Sequence, residues 1–561
     1  MEEIKQKISE AISELYGIDF SPVVTEAPKN FDADYSTNVA MAISKQVGKN
    51  PREIAEEIIS NITKREQNNL TIEIAGPGFL NFKTSDEYFK TKIAEFGKDF
   101  TKTIAPNEYE NQTVICEFSD PNPFKVLHVG HLYTSMVGDS ISRLVEFAGG
   151  KVIRANFGGD VGLHVAKTLY SVIKNNESTD DIEKIAKNYV LGTKAYEEDP
   201  EAKAEITKLN QTIYAIAKSG PDFHYEDAEK AKIAKLYWAG RKVSYDYFKN
   251  FYAKIGVKFD KYYPESTVAE RGLKEVKTHI GEVYEESDGA IVYRGEKDGL
   301  HTRVFINKNG LPTYEAKDVG LIFTKYDDYK FDKSIVITGN DIIDYMKVVL
   351  TSISKYAPEL TERTLHLTHG NVRLPGNEKM SSRKGNFLKA VDVLELVDKV
   401  LEQEYQSKDE KVSLGAIKYA FLKYKIGGNI VFDPKESVSM TGNSGPYLQY
   451  SAVRASKIIG NILKDGVSKQ NEKWELSERE RELIKKIIAY KDELNIIVKE
   501  LSPNKLCSYL YELAQEFSRF YETTKVADSE FEFERGQIVL AYLKVLTHGL
   551  GLLGIEVPER M

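Results

Sequence analysis

The feature that most constrains the fold is a change from strand to helix and back to strand early in the chain. TVICEFS (113–119) and KVIRANF (151–157) are mainly apolar runs with the length of a strand. Between them, apolar residues recur at three- and four-residue steps from Leu132 to Val145, and Gly149-Gly150 then stops the helix. A strand–helix–strand unit is the building block of a doubly wound parallel sheet, so we predict an α/β fold.

Further strands and a helical insertion are predicted around this unit. SIVITGND (334–341) and LHLTHG (365–370) flank a helical stretch, and we predict that they are parallel strands of the same sheet. Residues 170–265 have a helical pattern and are rich in lysine, glutamate and tyrosine. We interpret this stretch as an insertion at the edge of the sheet.

The 561 residues are too many for a single core, and their pattern divides them into four segments. We predict an α+β N-terminal domain over residues 1–108, the parallel-sheet domain over 109–385, a connecting stem over 386–425 and an all-helical bundle over 426–561. In the bundle, Ser477-x-x-Glu480 has the spacing of a capping box at the start of a helix.

Composition excludes several classes of protein. The net charge of −8 argues against a basic field over the whole chain, although it does not exclude a local basic face for nucleic acid. The two cysteines, Cys116 and Cys507, give neither a disulfide framework nor a zinc knuckle, so we expect no protein-bound zinc or other metal. The sequence lacks a secretion signal and any apolar run of membrane-spanning length, so we expect a cytoplasmic protein without a membrane partner.

The sequence His128-Val-Gly-His131 stands where the first predicted strand turns into the helix. Backbone N–H groups and the positive end of the helix dipole meet at such a position, which makes it a natural phosphate site. Two imidazoles three residues apart can both donate to phosphate oxygens, and Gly130 leaves room for a nucleotide near the backbone. The alternative interpretation is that the two histidines only cap the helix.

A second motif, Lys379-Met-Ser-Ser-Arg-Lys-Gly-Asn386, follows the predicted strand LHLTHG. Its three cations, Lys379, Arg383 and Lys384, stand next to serine and glycine in a loop that can close on a triphosphate and neutralise a leaving pyrophosphate. A short basic loop alone is usually solvated surface. Its combination with the HVGH motif on one sheet indicates a single nucleotide site.

Both motifs resemble the HIGH and KMSKS signatures of the class I aminoacyl-tRNA synthetases. The chain is most similar to the arginyl-tRNA synthetases, and the similarity covers nearly its whole length. The segments that carry it are EFSDPN (117–122), RANFGGDVG (154–162), Tyr314-x-x-x-Asp318-Val-Gly, AGPGFLNF (75–82), GPYLQYSAVRA (445–455) and the terminal PERM. The resemblance implies a Rossmann-like catalytic domain, an N-terminal domain that contacts the tRNA elbow and a helical domain that binds the anticodon.

The sequence departs from the family pattern at four positions. One is Ile342, which stands where the family often has a polar residue, so no substrate contact is assigned there. Tyr133 and Val161 stand where the family usually has arginine and tryptophan, and Ser382 replaces the second lysine of KMSKS. The charge of that lysine must therefore come from Arg383 or Lys384, or from the first lysine of the loop.

The resemblance also implies a set of site residues. It places the arginine substrate on Glu117, Ser119, Asn122, Tyr314 and Asp318. It places ATP on His128, Gly130, His131, His369, Gly370, Met380 and Ser381, and it gives catalytic roles to His128, His131, Lys379, Arg383 and Lys384. A guanidinium taken out of water needs carboxylates of matching fork geometry, which Glu117 and Asp318 can supply. Each of three residues also has an ordinary structural interpretation when it is considered alone. Glu117 could be a surface charge, Tyr314 an aromatic residue of the core and Asp318 a salt-bridge partner on a helix.

The reaction that the resemblance implies is the ligation of L-arginine to tRNA(Arg) through an arginyl-adenylate, with release of AMP and pyrophosphate. ATP is expected to carry Mg²⁺ as its counterion, and adenylate formation is expected to require bound tRNA. We expect the enzyme to be a monomer.

Three other functions remain open from the sequence. Another class I synthetase, for glutamate, glutamine or cysteine, is disfavoured by the acidic pair Glu117 and Asp318 and by the missing cysteine–histidine set. A small-molecule nucleotidyltransferase would share the phosphate site but would leave the N-terminal and helical domains unexplained. A non-catalytic tRNA-binding relative is disfavoured by the intact HVGH motif and Lys379.

Overall fold

The computed structural model describes residues 1–28, 30–65, 70–98, 100–376, 388–464, 471 and 473–561. Within these residues the chain forms two compact units. Unit 1 comprises residues 1–106, 451–499 and 509–549, and unit 2 comprises residues 107–450, 500–508 and 550–561. Parts of the chain that the sequence pattern groups with the helical bundle, including its last twelve residues, therefore belong to unit 2.

The N-terminal part of unit 1 packs helices on an antiparallel sheet with the strand order β1-β2-β4-β3. Its elements are α1 (Glu2–Tyr16), β1 (Thr25–Glu26), β2 (Tyr35–Thr37), α2 (Val39–Val47), α3 (Pro51–Arg65), β3 (Leu70–Ala75), β4 (Phe79–Thr84), α4 (Asp86–Lys98) and α5 (Phe100–Ile104). Apolar residues at helical spacing, such as Ile8 with Ile12 and Ile54 with Ile58, are buried in one cluster with Phe82 of the sheet. This burial of one face of each helix stabilises the layer.

The predicted strand–helix–strand unit is confirmed as β5 (Thr113–Glu117), α6 (Val129–Phe147) and β6 (Lys151–Gly158), with the two strands parallel. β5 ends two residues before the predicted boundary because Ser119 and Asp120 have φ values of 74° and 47°, in the left-handed region, which turns the chain out of the strand. α6 packs very closely on this turn. A Cβ atom at Gly138 would lie 2.1 Å from Cγ of Phe118, so only glycine fits there.

The predicted insertion is helical, although its first helix begins at Leu163, before the predicted start at residue 170. Its helices are α7 (Leu163–Lys174), α8 (Ile182–Glu198), α9 (Pro200–Ser219) and α10 (Ala228–Ile255). β7 (Lys261–Pro264), however, pairs in parallel with β6, so residues 261–264 belong to the sheet and not to the insertion. The sequence KYYP is too short to show a period and ends in proline, and it therefore gives no strand signal on its own.

The remaining strands complete the central sheet, whose order is β12-β11-β5-β6-β7 with parallel neighbours throughout. The elements are α11 (Glu265–Thr278), β8 (Glu285–Ser287), β9 (Ala290–Tyr293), β10 (Arg303–Ile306), α12 (Tyr314–Tyr329), β11 (Lys333–Gly339), α13 (Ile343–Ser354), α14 (Pro358–Glu362) and β12 (Thr364–His369), with 3₁₀ turns at Gly295–Asp298 and Asn340–Ile342. Both later strands predicted from the sequence are thus confirmed as β11 and β12. The antiparallel sheet β10-β9-β8 was not predicted.

Helices dominate the rest of the chain. The elements are β13 (Val372–Arg373), α15 (Ala390–Tyr405), α16 (Glu410–Leu422), β14 (Ile430–Val431), α17 (Pro434–Ser437), α18 (Gly445–Lys464), α19 (Glu478–Glu500), α20 (Pro503–Thr523) and α21 (Glu532–Leu552). The predicted capping box before α19 is confirmed: the Ser477 amide donates to Glu480 Oε2 (2.7 Å), and the Glu480 amide donates to Ser477 Oγ (3.3 Å).

Hydrogen bonds fix the last residues of the chain within unit 2. Ser140 Oγ, on α6, donates to the carbonyl oxygen of Leu552 (3.1 Å), and Lys418 Nζ, on α16, donates to that of Gly554 (2.5 Å). Burial lowers the pKa of the Lys418 ammonium. The end of the chain therefore packs on the same α6 helix that begins with the HVGH motif.

Candidate active site

The two histidines of the HVGH motif cap α6 through their side chains. Nδ1 of His128 accepts a hydrogen bond from the Gly130 amide (3.1 Å), and Nδ1 of His131 accepts one from the His128 amide (3.1 Å). Their rings stack, with centroids 3.8 Å apart. The interpretation of these residues as helix caps is therefore confirmed.

The capping hydrogen bonds also determine where each ring carries its proton. Burial lowers the pKa of His128 to about 4 and the pKa of His131 well below its ordinary value, so both rings are neutral at pH 7. A neutral imidazole whose Nδ1 accepts a hydrogen bond has its proton on Nε2. The cap therefore makes an Nε2–H donor of each histidine, and capping is compatible with binding a phosphate.

His369, at the end of β12, contacts the first turns of α6. Its Nε2 lies 2.6 Å from Oγ1 of Thr134, and its Nδ1 lies 2.9 Å from the carbonyl oxygen of Gly370. The ring of Tyr133 packs edge-on against it, with centroids 4.6 Å apart. Gly370 is also closely packed, since a Cβ there would lie 2.2 Å from the carbonyl oxygen of Gly428. Both ring nitrogens of His369 thus have partners in the protein, an arrangement that holds α6 in place.

The predicted basic loop lies outside the described residues, and with it lie Lys379, Met380, Ser381, Arg383 and Lys384. The chain that follows it is described. The Val129 amide donates to the carbonyl oxygen of Leu388 (2.9 Å), and the Ala390 amide donates to that of Leu127 (2.9 Å). Directly after the loop, the chain is therefore hydrogen-bonded to the turn that carries HVGH.

Glu117, at the end of β5, forms an ion pair with a lysine that the sequence analysis missed. Nζ of Lys325, on α12, donates to Oε2 of Glu117 (2.5 Å) and to Oγ of Ser334 (3.0 Å). Glu117 is 3% exposed and Lys325 is fully buried. In the sequence, Lys325 stands two helical turns after Asp318, directly after the apolar stretch GLIFT. A charge at that position was the feature that could have indicated a buried ion pair.

The side chains of Ser119 and Asn122 fix the turn that follows β5. Oγ of Ser119 lies 2.8 Å from the hydroxyl of Tyr252, and Oδ1 of Asn122 accepts a hydrogen bond from the Gly159 amide (2.9 Å). The structure therefore brings both residues to the carboxyl end of β5, next to the end of β6.

Asp318, on α12, lies among other acidic groups. The hydroxyl of Tyr345 donates to its Oδ2. Burial, together with the charges of Glu117, Glu265 and Glu315, raises the pKa of Asp318 to about 8 in spite of this hydrogen bond. A cation near the carboxylate would favour its charged form. The electrostatics around Asp318 therefore suit a positively charged substrate group.

Tyr314 begins α12, and its side chain is 54% exposed, so it is not the core aromatic of the alternative interpretation. Nζ of Lys317 lies 4.7 Å from the centre of its ring and forms a buried ion pair with Glu265. Glu265, Lys317 and Tyr345 were not predicted from the sequence. Of these three residues, only Lys317 could have been identified from its sequence neighbours, because it is a charged residue between the predicted site residues Tyr314 and Asp318.

Among the described residues, no group of three or more histidine, cysteine, aspartate or glutamate side chains has the arrangement of a metal site. No helix within the same residues has both the length and the apolar character needed to cross a membrane.

Comparison with known families assigns nearly the whole chain. Residues 99–433 match the family described as tRNA synthetases class I (R), catalytic domain. Residues 448–561 match the DALR anticodon binding domain, and residues 2–84 match the arginyl tRNA synthetase N terminal domain.

Individual relatives agree with these matches. The chain is 28% identical to arginine–tRNA ligases of Parabacteroides distasonis and Borrelia duttonii, with 100% of this chain and 99% or more of each relative covered. Among solved structures, arginyl-tRNA synthetase of Thermus thermophilus has a TM-score of 0.78 at 22% identity, with both chains fully covered. The enzyme of Plasmodium falciparum has a TM-score of 0.76 at 21% identity, with 100% of this chain and 99% of that chain covered, and both structures share the fold.

The catalytic-domain match spans more than half of the chain and includes both the HVGH turn and α12. It excludes a small-molecule nucleotidyltransferase and the synthetases for glutamate, glutamine and cysteine. The chain belongs to the class I arginyl-tRNA synthetase family, whose reaction is the ATP-dependent aminoacylation of tRNA(Arg).

Proposed function

We propose that the chain ligates L-arginine to tRNA(Arg) in two steps at the carboxyl edge of the central sheet. The carboxylate of arginine attacks the α-phosphorus of ATP, which forms the P–O bond of arginyl-adenylate and releases pyrophosphate. The terminal ribose hydroxyl of the tRNA then attacks the carbonyl carbon, and AMP leaves. Neither step needs a covalent enzyme nucleophile, because positioning and charge stabilisation are sufficient for reactions of this type.

In this proposal the α6 turn and the basic loop hold ATP. The Nε2–H groups of His128 and His131 donate to phosphate oxygens, and Gly130 allows the nucleotide to approach the backbone. His369 and Gly370 act by holding the first turns of α6. The loop residues that neutralise pyrophosphate and cover ATP are Lys379, Met380, Ser381, Arg383 and Lys384. The return of the chain at Leu388 beside the HVGH turn supports their proximity to the phosphates.

Mg²⁺ is proposed to enter with ATP as the counterion of its phosphates, where it would neutralise charge on the leaving pyrophosphate.

The observation that carries the substrate assignment is the environment of Asp318. Its carboxylate is buried beside three further acidic side chains, and Tyr345 holds one of its oxygens. A guanidinium brings a permanent positive charge and paired donors to such a site. Glu117 contributes to the negative potential while paired with Lys325, and Tyr314, Ser119 and Asn122 shape the surroundings.

The partners and the location that we propose are supported by family membership. We propose that the N-terminal domain (1–108) contacts the tRNA elbow and that the helical domain (426–561) contacts the anticodon, as the DALR match supports. We further propose a monomeric, cytoplasmic enzyme.

ATP–pyrophosphate exchange with a panel of amino acids, each with and without total tRNA, tests the proposed function. We expect exchange with arginine only, and only when tRNA is present. Exchange with another amino acid would contradict the substrate assignment. Absence of exchange with every amino acid, by enzyme that is folded and binds tRNA, would support a non-catalytic relative.

Asp318→Asn should raise the arginine KM by roughly 10- to 150-fold, since losing a charge-assisted partner costs about 1.5–3 kcal/mol. The ATP KM should change little. Steady-state exchange kinetics at saturating tRNA give both values. An Asp318→Asn variant with the arginine KM of the wild type would remove this residue from the arginine site.

Arginine affinity should also depend on pH in a direction fixed by the pKa of Asp318, which is about 8. Below pH 8 the carboxyl group must lose a proton before it pairs with a guanidinium, so affinity should rise about tenfold per pH unit and level off above pH 8. The charge of the guanidinium does not change in this range. Isothermal titration of arginine between pH 6 and pH 9 checks the slope, and Asp318→Asn, which should abolish it, controls for other titrating groups.

A further inference from the structure

Tyr345 is in the first turn of α13, a different element from the one that carries Asp318. Its hydroxyl donates to Oδ2 of Asp318, and its side chain is half-buried. The guanidinium carbon of Arg303, on β10, lies 5.8 Å from the centre of its ring. No role was predicted for Tyr345 from the sequence.

We propose that Tyr345 is a positioning residue for arginine recognition, which fixes the Asp318 carboxylate so that a guanidinium meets it in one orientation. The inference rests on the proposed function, in which Asp318 contacts the substrate. A carboxylate has a soft terminal torsion, and a donor from a separate helix restricts it. The Asp318 side chain therefore loses less conformational freedom when arginine binds.

The charged groups around Asp318 explain why a donor is needed there. Glu117 from β5, Glu265 from α11 and Glu315 from α12 all disfavour its ionised form, whereas the Tyr345 hydroxyl favours it. Burial, with the charges of Glu117 and Asp318, also raises the pKa of Asp120 in the turn after β5, so this carboxyl group belongs to the same acidic cluster. The nearby cations are each engaged with another carboxylate: Lys325 with Glu117, Lys317 with Glu265 and Arg303 with Glu315 (3.6 Å). Tyr345 thus promotes the charged form of Asp318 without adding a positive charge, which would repel arginine.

Removing the hydroxyl in Tyr345→Phe should weaken arginine binding about tenfold at pH 7, the effect of losing one hydrogen bond to a charged group. The midpoint of the pH dependence of arginine affinity should move up by about one unit, because the ionised carboxylate loses a donor. The ATP KM should be unchanged. The pH midpoint is the decisive readout, since a purely structural role of the ring would not move it.

Tyr284→Phe is the matched control. Tyr284 belongs to the same hydrophobic cluster, against which Tyr345 packs, and its hydroxyl donates to Ser352 Oγ (3.1 Å) on α13. This variant also removes a buried tyrosine hydroxyl from the contacts of α13, but it should leave both the arginine affinity and the pH midpoint unchanged. A second variant with 3-fluorotyrosine at position 345 keeps the size of the ring and has a more acidic hydroxyl, so its pH midpoint should move down.

Measurements on the Asp318→Asn variant distinguish the proposed arginine site from the proposed role of Tyr345. If Asp318→Asn binds arginine as the wild type does, the arginine site of the proposed function is wrong. If Asp318→Asn weakens binding while Tyr345→Phe and the fluorinated variant both keep the wild-type affinity and midpoint, the role of Tyr345 is overturned and the site stands. If both ideas hold, Tyr345→Phe should have no further effect on arginine affinity in the Asp318→Asn background.

Discussion

Glu117→Gln should lower the free energy of unfolding of unit 2 by about 3–5 kcal/mol, because it leaves the fully buried ammonium of Lys325 without a charged partner. The pair joins β5 to α12 at the centre of the sheet, so the loss should be local to these elements at first. Hydrogen exchange read by mass spectrometry should show faster exchange in peptides from both elements.

The double variant Glu117→Gln with Lys325→Met is the control for this prediction. It removes both charges, so no uncompensated charge remains buried. The double variant should therefore recover most of the lost stability. If Glu117→Gln is as stable as the wild type, the pair is not the buried interaction described here.

Substitution of Glu117 changes the stability of the catalytic unit as well as any contact with arginine, so its kinetics cannot be assigned to the substrate alone. Asp318 has a neutral hydrogen-bond partner, Tyr345, and its substitution leaves no buried cation unpaired. Asp318→Asn is therefore the cleaner test of arginine recognition.

His128→Ala and His131→Ala should each slow adenylate formation by roughly 10²- to 10³-fold, the typical effect of removing one preorganised donor to a charged transition state. Arginine binding should change little. Because burial holds the pKa of His128 at about 4 and that of His131 lower than usual, both rings stay neutral between pH 6 and pH 8. The size of the effect should therefore be independent of pH in this range. Single-turnover adenylation with saturating tRNA measures it.

The alanine variants also lose a helix cap, which costs about 0.5–2 kcal/mol. His128→Asn separates the two roles, because asparagine is among the preferred N-cap residues and retains an acceptor for the Gly130 amide. It lacks a donor at the position of Nε2. We expect His128→Asn to keep the thermal stability of the wild type and to lose adenylation nevertheless. Wild-type adenylation in all three variants would leave the histidines as caps only.

The sequence by itself determined the parts of this protein that are encoded locally. The alternation of periods from residue 113 to 157 determined the parallel sheet, and the position of His128 and His131 at a strand-to-helix turn predicted the phosphate site that we propose. The Ser477–Glu480 spacing similarly determined a helix start that the structure confirms. These patterns are readable because the residues that interact lie within a few positions of one another.

Only the tertiary structure decided which charges and strands meet. KYYP forms a strand because it pairs in parallel with the edge of β6. Its four residues are too few for the alternation of a strand to be recognised in the sequence. Lys325 pairs with Glu117 across 208 positions, and Tyr345 reaches Asp318 across 27, from a different helix. A carboxylate in the sequence looks the same whether it is solvated, paired or held by a neutral donor. Its charge state and its availability to a substrate depend on burial and on partners that the fold alone brings together.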